Sequence, residues 1–225
     1  MNRGVNILGS ARAEHMKDLI LVGGGGHCKS VMDVAESAGF NILGVLDRPE
    51  FVGKDVLDYS VIGTDYDIPK YVSKAEFVVT VGFIKNPDIR IRLFNQIKSA
   101  GGTLATIVAS TAYVSKHAQL GEGSVVMHKA FVNADCKIGS NTIINTLANI
   151  EHDCFVGDNV HISTGVMLNG GCSVGNNVFI GSRSVVANCV SICDNVIVGA
   201  GSLVRKTITV PGLYANGPKN LQELK

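Results

Sequence analysis

Aliphatic residues recur every six positions along the second half of the chain. Neither a helix with 3.6 residues per turn nor an alternating strand keeps an apolar period of six over residues 108–210. Turn segments such as "IGSN", "VGDN" and "VGNN" separate these positions. The pattern predicts a parallel β-helix in which three hexads form each triangular coil. The residues predicted to point inward are Val108, Val114, Leu120, Val126, Val132, Ile138, Ile144, Ile150, Val156, Ile162, Leu168, Val174, Ile180, Val186, Ile192, Val198, Val204 and Val210.

A coil of three hexads makes residues eighteen apart stack on successive turns. The repeats correspond to about six coils and a prism about 29 Å tall at the usual spacing of parallel strands. Cys136, Cys154 and Cys172 fall on one such line. Three thiols in a row lack the tetrahedral convergence that zinc requires, so they are interpreted as a stack of small apolar side chains.

The first half of the chain has a different pattern. An apolar strand, four glycines and a helix with Val31, Met32, Val34 and Ala35 on its apolar side are followed by the strand "NILGVLD". The order of strand and then helix repeats in "AEFVVTVG" and "IRIRLFNQIKSAG". This pattern predicts an α/β domain over residues 16–107 with a half-Rossmann-like parallel sheet. Residues 1–15 are expected to be a tail or an expression remnant, 108–212 the β-helix and 213–225 a C-terminal tail.

The glycine segment from Gly23 to Gly26 has the features of a phosphate site. Backbone N–H groups before a helix can approach a phosphate, and the helix dipole favours its charge. Asp47 follows at the distance where an acid meets a ribose or base in nucleotide-binding sheets. One such crevice suits a mononucleotide-linked ligand better than a dinucleotide. A tight turn with no ligand is the alternative.

Composition limits the choice of partners. The 20 Lys+Arg residues nearly balance the 19 Asp+Glu residues, so no broad basic face for nucleic acid is expected. The apolar runs are shorter than the roughly 20 residues of a membrane span. The six cysteines contain no CxxC pair, which favours a reducing, cytoplasmic location.

The stretch "IEHDCFVGDNVHIS" places His152 and His161 nine residues apart. Taken alone, these histidines could be core residues, metal ligands or a catalytic base. The segments "GGGGHCK", "VLD", "VGFIKNPDIR" and "IEHDCFVGDNVHIS" occur in one order. Over residues 17–218 the chain resembles the bacterial acyltransferases that acetylate nucleotide-linked amino sugars or sialic acids. The resemblance implies the left-handed form of the parallel β-helix.

The resemblance also implies residue roles. His152 would be the general base, with Asp153 holding the tautomer of its imidazole and Glu151 as the fallback partner. Gly170, eighteen residues after His152, is a candidate oxyanion-hole amide, although this glycine could simply ease a turn. The coenzyme, acetyl-CoA, would contact His161, Gly170, Ser182 and Ala200 at sites between neighbouring prisms of a homotrimer. No metal is expected.

The substrate side of the resemblance lies in the N-terminal domain. The base could be that of a UDP- or a GDP-linked sugar, because Arg48 stands where many relatives have a second acid. The residues expected to bind the nucleotide-linked sugar are Gly24, Gly25, Gly26, His27, Lys29, Asp47, Arg48 and Gly82.

We therefore expect an acetyl-CoA-dependent N-acetyltransferase that acts on a nucleotide-linked 4-amino-deoxysugar for surface glycan biosynthesis. The alternatives are O-acetylation of a sialic acid or related sugar, and a non-catalytic sugar-nucleotide binder. A zinc-dependent carbonic anhydrase on the same prism would need a third histidine at a companion spacing, which the sequence lacks.

Overall fold

A computed structural model describes residues 17–215 of the chain. The tail predicted at 1–15 and residues 216–225 of the tail predicted at 213–225 lie outside the described residues. Within residues 17–215, no helix combines the length and apolar character needed to cross a membrane.

The N-terminal part is a five-stranded sheet in the order β3-β4-β2-β1-β5 with two helices. Its elements are β1 (Asp18–Val22), α1 (Gly26–Ser37), β2 (Asn41–Leu46), a 3₁₀ helix (Pro49–Phe51), β3 (Asp55–Val56), β4 (Tyr59–Gly63), a second 3₁₀ helix (Asp65–Lys70), β5 (Glu76–Val79) and α2 (Asp88–Ser99). The predicted parallel arrangement holds for β1, β2, β4 and β5. It is wrong for β3, which pairs with β4 as an antiparallel hairpin.

Strand β1 lies at the centre of the hydrophobic packing of this sheet. Leu19 to Val22 are all buried, as expected for a parallel strand covered on both faces. Leu19 and Leu21 pack with the predicted apolar side of α1, whereas Ile20 and Val22 pack with residues of α2 and β5. The carboxyl ends of β1 and β2 therefore meet at one edge, where Gly23 donates a hydrogen bond to the Leu46 carbonyl over 2.8 Å.

The C-terminal part is a triangular parallel β-helix with three sheets. We name them the covered face, the apolar face and the polar face. The covered face contains β6 (Ile107–Val108), β9 (Val125–Val126), β12 (Ile143–Ile144), β15 (His161–Ile162), β18 (Phe179–Ile180), β21 (Val196–Val198) and β23 (Gly212–Tyr214). The apolar face contains β7 (Tyr113–Val114), β10 (Phe131–Val132), β13 (Asn149–Ile150), β16 (Met167–Leu168), β19 (Val185–Val186) and β22 (Leu203–Val204). The polar face contains β8 (Gln119–Leu120), β11 (Lys137–Ile138), β14 (Phe155–Val156), β17 (Ser173–Val174) and β20 (Ser191–Ile192).

The eighteen-residue stacking predicted from the hexads is observed. On the apolar face, Phe131 pairs with Asn149 and Asn149 pairs with Met167. The aliphatic residues predicted to point inward, from Val126 to Val198, form one buried cluster. The prediction is wrong for Val210, which is 61% exposed; Ile208 takes the buried place because the spacing shortens after Val204.

The corners of the prism contain ordered polar ladders. Asn141, Asn159, Asn177 and Asn195 all have a positive φ, between 54° and 59°, a backbone region that asparagine tolerates better than most residues. The amides of the first three donate to the next asparagine along the ladder, over 2.9, 3.3 and 3.1 Å. This ladder ties four successive coils together at the corner between the polar and covered faces.

The three stacked cysteines form a second ladder, inside the prism. Cys136, Cys154 and Cys172 are buried, as the stacking interpretation requires. Their thiols also donate hydrogen bonds to backbone carbonyls on the next coil. The acceptors are Glu151, Asn169 and Ala187, at 3.0, 3.3 and 3.1 Å.

The N-terminal part packs on the covered face of the prism. Residues of α1 share a core cluster with Ile107, Val125 and Met127. Arg90 of α2 is 1% exposed and bonds both parts, donating to the carbonyls of Val79 and Asn141 at 2.6 and 2.9 Å. Burial of this guanidinium lowers the pKa of Arg90 to about 9. A buried cation thus joins the two halves through carbonyl oxygens.

Candidate functional site

His152 lies at the corner between the apolar and polar faces, in the turn after β13. Its Nδ1 and the Asp153 Oδ2 are 2.6 Å apart. Asp153, in the turn at this corner, has a positive φ of 60°. The hydrogen bond with Asp153 raises the pKa of His152 above its usual value, and the negative charge of Glu151 adds to the effect. Both side chains of the pair are 60% exposed, so the Nε2 edge of the ring can receive a proton from a ligand.

Glu151 is held away from this pair. Its carboxylate accepts hydrogen bonds from the Asn133 and Asn149 amides over 2.8 and 3.1 Å. The hydrogen bond from Asn133 contributes most to lowering the pKa of Glu151 below its usual value. The structure therefore pairs the imidazole with Asp153 and not with the fallback residue.

Gly170 lies against the His152 ring, one coil further along. A Cβ atom added at Gly170 would be 2.7 Å from His152 Cε1 and 2.8 Å from Nε2. Gly171 N–H donates to the His152 carbonyl over 3.0 Å, whereas no acceptor for the Gly170 N–H is found within residues 17–215. A backbone N–H without an acceptor, placed beside an imidazole, can donate a hydrogen bond to the oxyanion that forms in acyl transfer.

His161 is embedded between the prism and the N-terminal part. It is 8% exposed, its Nδ1 is 2.9 Å from the Phe83 carbonyl, and its Nε2 is 3.0 Å from the Asn145 amide nitrogen. Burial lowers the pKa of His161 to about 4, so the ring is neutral near pH 7. The coenzyme contact expected of His161 remains a prediction, limited to the ring edge because both nitrogens are bonded within the chain.

Ser182 and Ala200 occupy the corner between the covered and apolar faces. Ser182 Oγ is 2.9 Å from Ser163 Oγ, and Ala200 is exposed. This corner is one full face away from the corner of His152. A single chain therefore brings His152, Asp153 and Gly170 together, but does not bring Ser182 and Ala200 to them.

A cleft of about 740 Å³ opens at the carboxyl edge of the N-terminal sheet. Of the predicted sugar-nucleotide residues, Gly24, Gly25, Lys29, Asp47 and Arg48 line it. Gly26, His27 and Gly82 do not line it, although Gly26 and Gly82 directly follow the lining residues Gly25 and Val81 in the chain.

Asp47 braces the glycine loop. Its two carboxylate oxygens accept hydrogen bonds from the Gly24 and Arg48 N–H groups, over 3.0 and 2.8 Å. A Cβ at Gly24 would be 2.7 Å from Asp47 Oδ2, so a side chain there would displace the carboxylate from this position. Arg48 lies over the Phe51 ring, with its guanidinium carbon 4.8 Å from the ring centre. The pair Asp47 and Gly24 therefore fixes the shape of the loop before any ligand binds.

His27 packs with its ring against Gly82. Its Nε2 is buried and has no hydrogen-bond partner within the described residues. Burial lowers the pKa of His27 to about 3, and the positive charge of Arg90 acts in the same direction. The neutral ring therefore has an unused nitrogen beside the glycine loop.

The sequence reasoning missed two features of this region. Arg90 lies on the buried side of α2 with Leu93 and Ile97, at the i, i+3, i+7 spacing that marks a buried helix stripe. That spacing could have indicated that Arg90 is buried. The second feature is the ion pair of Asp65 and Arg92, which also lines the cleft and joins residues 27 apart, so no local signal announces it.

No group of three or more His, Cys, Asp or Glu side chains in residues 17–215 is positioned to hold a metal ion. All six cysteines are free thiols.

The chain matches the PglD N-terminal domain over residues 18–97, bacterial transferase hexapeptide repeats over 171–206 and the hexapeptide repeat of succinyl-transferase over 148–178. Comparison with curated proteins gave no match.

Solved structures cover both parts of the chain at once. The acetyltransferase domain of PglB from Neisseria gonorrhoeae FA1090 is 30% identical, with a TM-score of 0.83 over 90% of this chain and 98% of that chain. PerB from Caulobacter crescentus, solved in complex with CoA and GDP-perosamine, is 31% identical, with a TM-score of 0.82 over 88% and 94%. WeeI from Acinetobacter baumannii AYE, at 18% identity and a TM-score of 0.60, shares the fold.

The chain belongs to the nucleotide-sugar N-acetyltransferases of the hexapeptide family. This acetyltransferase accordingly has the left-handed form of the parallel β-helix, behind its N-terminal α/β domain. Its co-substrate is acetyl-CoA.

Proposed function

We propose that this acetyltransferase transfers the acetyl group of acetyl-CoA to the amine of a nucleotide-linked amino sugar, with His152 as the general base. The observation that carries the proposal is the arrangement of His152, Asp153 and Gly170 at one corner. The binding of CoA and GDP-perosamine by PerB supports a nucleotide-linked amino sugar as the acceptor.

The chemistry follows from what each group can do. The amine attacks the thioester carbonyl, and His152 Nε2 takes the proton that the nitrogen loses as the C–N bond forms. The Gly170 N–H stabilises the oxyanion. When the C–S bond breaks, the imidazolium returns its proton to the thiolate of CoA. Asp153 stabilises the imidazolium in the interval.

A covalent route through Cys154 is disfavoured. Its thiol is 1% exposed, points into the prism and donates to the Asn169 carbonyl. Its Cys136 and Cys172 neighbours raise the pKa of Cys154, so little thiolate is available as a nucleophile. Transfer therefore proceeds directly between the two substrates.

We also propose a homotrimer with the reaction site between subunits. The outward residues of the apolar face include Tyr113, Phe131, Met167, Val185 and Leu203, three of which are at least 36% exposed. Five of the six outward residues of this face are apolar, with Asn149 as the exception, and such a face favours a partner. The polar face instead presents Gln119, Lys137, Phe155, Ser173 and Ser191.

The trimer accounts for the separated residues. The apolar face is bounded by the corner of His152 on one side and the corner of Ser182 and Ala200 on the other. If three apolar faces surround a threefold axis, the His152 corner of one subunit meets the Ser182 corner of the next. The coenzyme arm would lie in that junction.

We place the reaction in the cytoplasm, as a step that prepares an amino sugar for a surface glycan. The free state of all six cysteines suits a reducing compartment.

The test is transfer of acetyl from acetyl-CoA to UDP- and GDP-linked amino sugars and to free sialic acids, followed by mass spectrometry. We expect one nucleotide-linked amino sugar to gain an acetyl group. His152→Ala should lower the rate about 10²- to 10⁴-fold, the usual contribution of a general base. His117→Ala is the matched control, because His117 is an exposed histidine in the same corner two coils earlier. Acetylation of free sialic acid alone would instead support the O-acetyltransferase, and nucleotide binding without turnover would support the binder.

A further inference from the structure

The cleft of the N-terminal domain ends in an acidic group that the glycine loop and Asp47 do not explain. Asp65 begins the 3₁₀ helix after β4, and its Oδ2 accepts a hydrogen bond from Arg92 Nη1 over 2.8 Å. Both residues line the cleft. The Asp65 side chain is 23% exposed, and no donor to its Oδ1 is found within residues 17–215. A fixed carboxylate thus presents an open oxygen to the cleft.

The order of the strands gives the position of this carboxylate along a ligand. Strands β1, β2 and β4 are adjacent and parallel, and each ends at the cleft. The glycine loop follows β1, Asp47 follows β2 and Asp65 follows β4. If the glycine loop holds the diphosphate and Asp47 lies beside the ribose, the next step of about 5 Å along the sheet edge reaches the base.

Two exposed apolar residues also line the cleft. Leu57, at the tip of the β3–β4 hairpin, is 56% exposed, and Ile89, in the first turn of α2, is 59% exposed. Leu57 has a φ of 53°, a position in a tight hairpin that asparagine or glycine normally occupies. A strained, exposed leucine at a cleft wall indicates a contact with a flat apolar surface such as a nucleobase.

The chemistry of a carboxylate distinguishes between bases. Guanine carries N1–H and the N2 amino group side by side, which match the acceptors of one carboxylate. Uracil offers a single N3–H between two carbonyl oxygens, one of which would face the second carboxylate oxygen and be repelled. A carboxylate whose Oδ1 is open, at the position of the base, therefore favours guanine over uracil.

We propose that Asp65, oriented by Arg92, selects the base of the sugar nucleotide and that this base is guanine. The inference rests on the proposed function of the cleft as the nucleotide-sugar site.

The test is calorimetric titration of the full chain with GDP, IDP and UDP. IDP differs from GDP only by the missing N2 amino group. We expect GDP to bind at least about tenfold tighter than IDP, the usual consequence of losing a hydrogen bond to a charged acceptor, and tighter than UDP. Asp65→Asn should bring the affinities for GDP and IDP to within about twofold of each other. Asp58→Asn removes the same charge from the exposed hairpin outside the cleft, so it should keep the preference.

The outcomes distinguish the selection of guanine by Asp65 from the function of the cleft as a nucleotide site. Equal affinity for GDP and IDP, or tighter binding of UDP, would overturn the assignment of guanine while leaving the cleft as a nucleotide site. An unchanged preference for GDP in Asp65→Asn would show that another group reads the base. If none of the three diphosphates binds, the proposed function of the cleft itself fails. The comparison of GDP with IDP on the unaltered chain remains decisive if Asp65→Asn does not fold.

Discussion

At the scale of single residues, the chemistry depends on one imidazole and the two groups that touch it. Asp153 bonds one nitrogen of His152, and Gly170 leaves space for the other. Neither contact requires a distant part of the chain. The dyad arises from adjacent residues in one turn, and the glycine lies one coil away by register alone.

The pH dependence of the rate follows from the raised pKa of His152. The protonated ring cannot act as a base, so kcat should rise with pH through that pKa, with a midpoint above the usual imidazole value of about 6.5. Asp153→Asn removes the first cause of the shift, so the midpoint should move to lower pH and kcat should fall. Rates across pH 5 to 9 test this prediction. A midpoint that stays in place would mean that Asp153 does not set the basicity of His152.

Gly170→Ala tests the contact with the ring. The backbone at Gly170 is not in the left-handed region, and the three atoms nearest to the added methyl group all belong to the imidazole. We expect activity to fall at least about tenfold, because the ring must leave its place beside the amide. In the His152→Ala background the same change should leave the melting temperature unchanged, as differential scanning fluorimetry would show. A loss of stability in that background would point to a different clash.

At the scale of elements, the asparagine ladder links coils that are otherwise joined by strands of two or three residues. Asn159 has a partner on each side, whereas Asn195 is the last member and accepts one bond. The interior rung should therefore contribute more than the terminal one.

Substitutions of Asn159 separate its two contributions. Asn159→Gly keeps the positive φ and loses two side-chain hydrogen bonds, which should cost about 1–3 kcal/mol of unfolding free energy. Asn159→Ala should cost about 1 kcal/mol more, because alanine disfavours a φ of 55°. Urea unfolding measures both, with Asn195→Gly as the milder control. Equal costs for Asn159→Gly and Asn195→Gly would contradict a cooperative ladder.

The sequence predicted those parts of the fold that follow from the regular spacing of residues along the chain. The six-residue period determined the inward positions and the stacking of Gly170 on His152, because register in a coil is arithmetic. The same arithmetic failed at Val210, because the spacing of the inward residues shortens after Val204. The hairpin β3–β4 was missed because β3 has only two residues and runs antiparallel to β4.

At the scale of the whole molecule, the surroundings of His161 were beyond sequence reasoning. Its partner Phe83 is 78 residues away, and the contact exists only because the N-terminal part covers one face of the prism. The ion pair of Asp65 and Arg92 is of the same kind. Pairings across packed elements leave no periodic trace in the chain.

The proposed trimer gives a prediction at this scale. Met167→Glu places a charge in the middle of the apolar face, so we expect the particle to change from trimer to monomer and lose acetyl transfer while its circular dichroism is unchanged. Ser173→Glu is the matched control, because Ser173 begins β17, the next strand along the chain, on the polar face. It should change neither the oligomeric state nor acetyl transfer. Light scattering after size exclusion gives the mass. An unaltered chain that runs as a monomer would refute the intersubunit site.

The eighteen-residue coil also determines how this protein can change in length during evolution. An insertion of one whole coil beyond Gly170 would lengthen the prism by about 5 Å and keep every strand in register. The same insertion between His152 and Gly170 would put a new residue beside the imidazole. An insertion of one hexad would keep the aliphatic residues inward but move every later strand to a different face of the prism. Homologues of different length should therefore differ by multiples of eighteen, on the carboxyl side of the site.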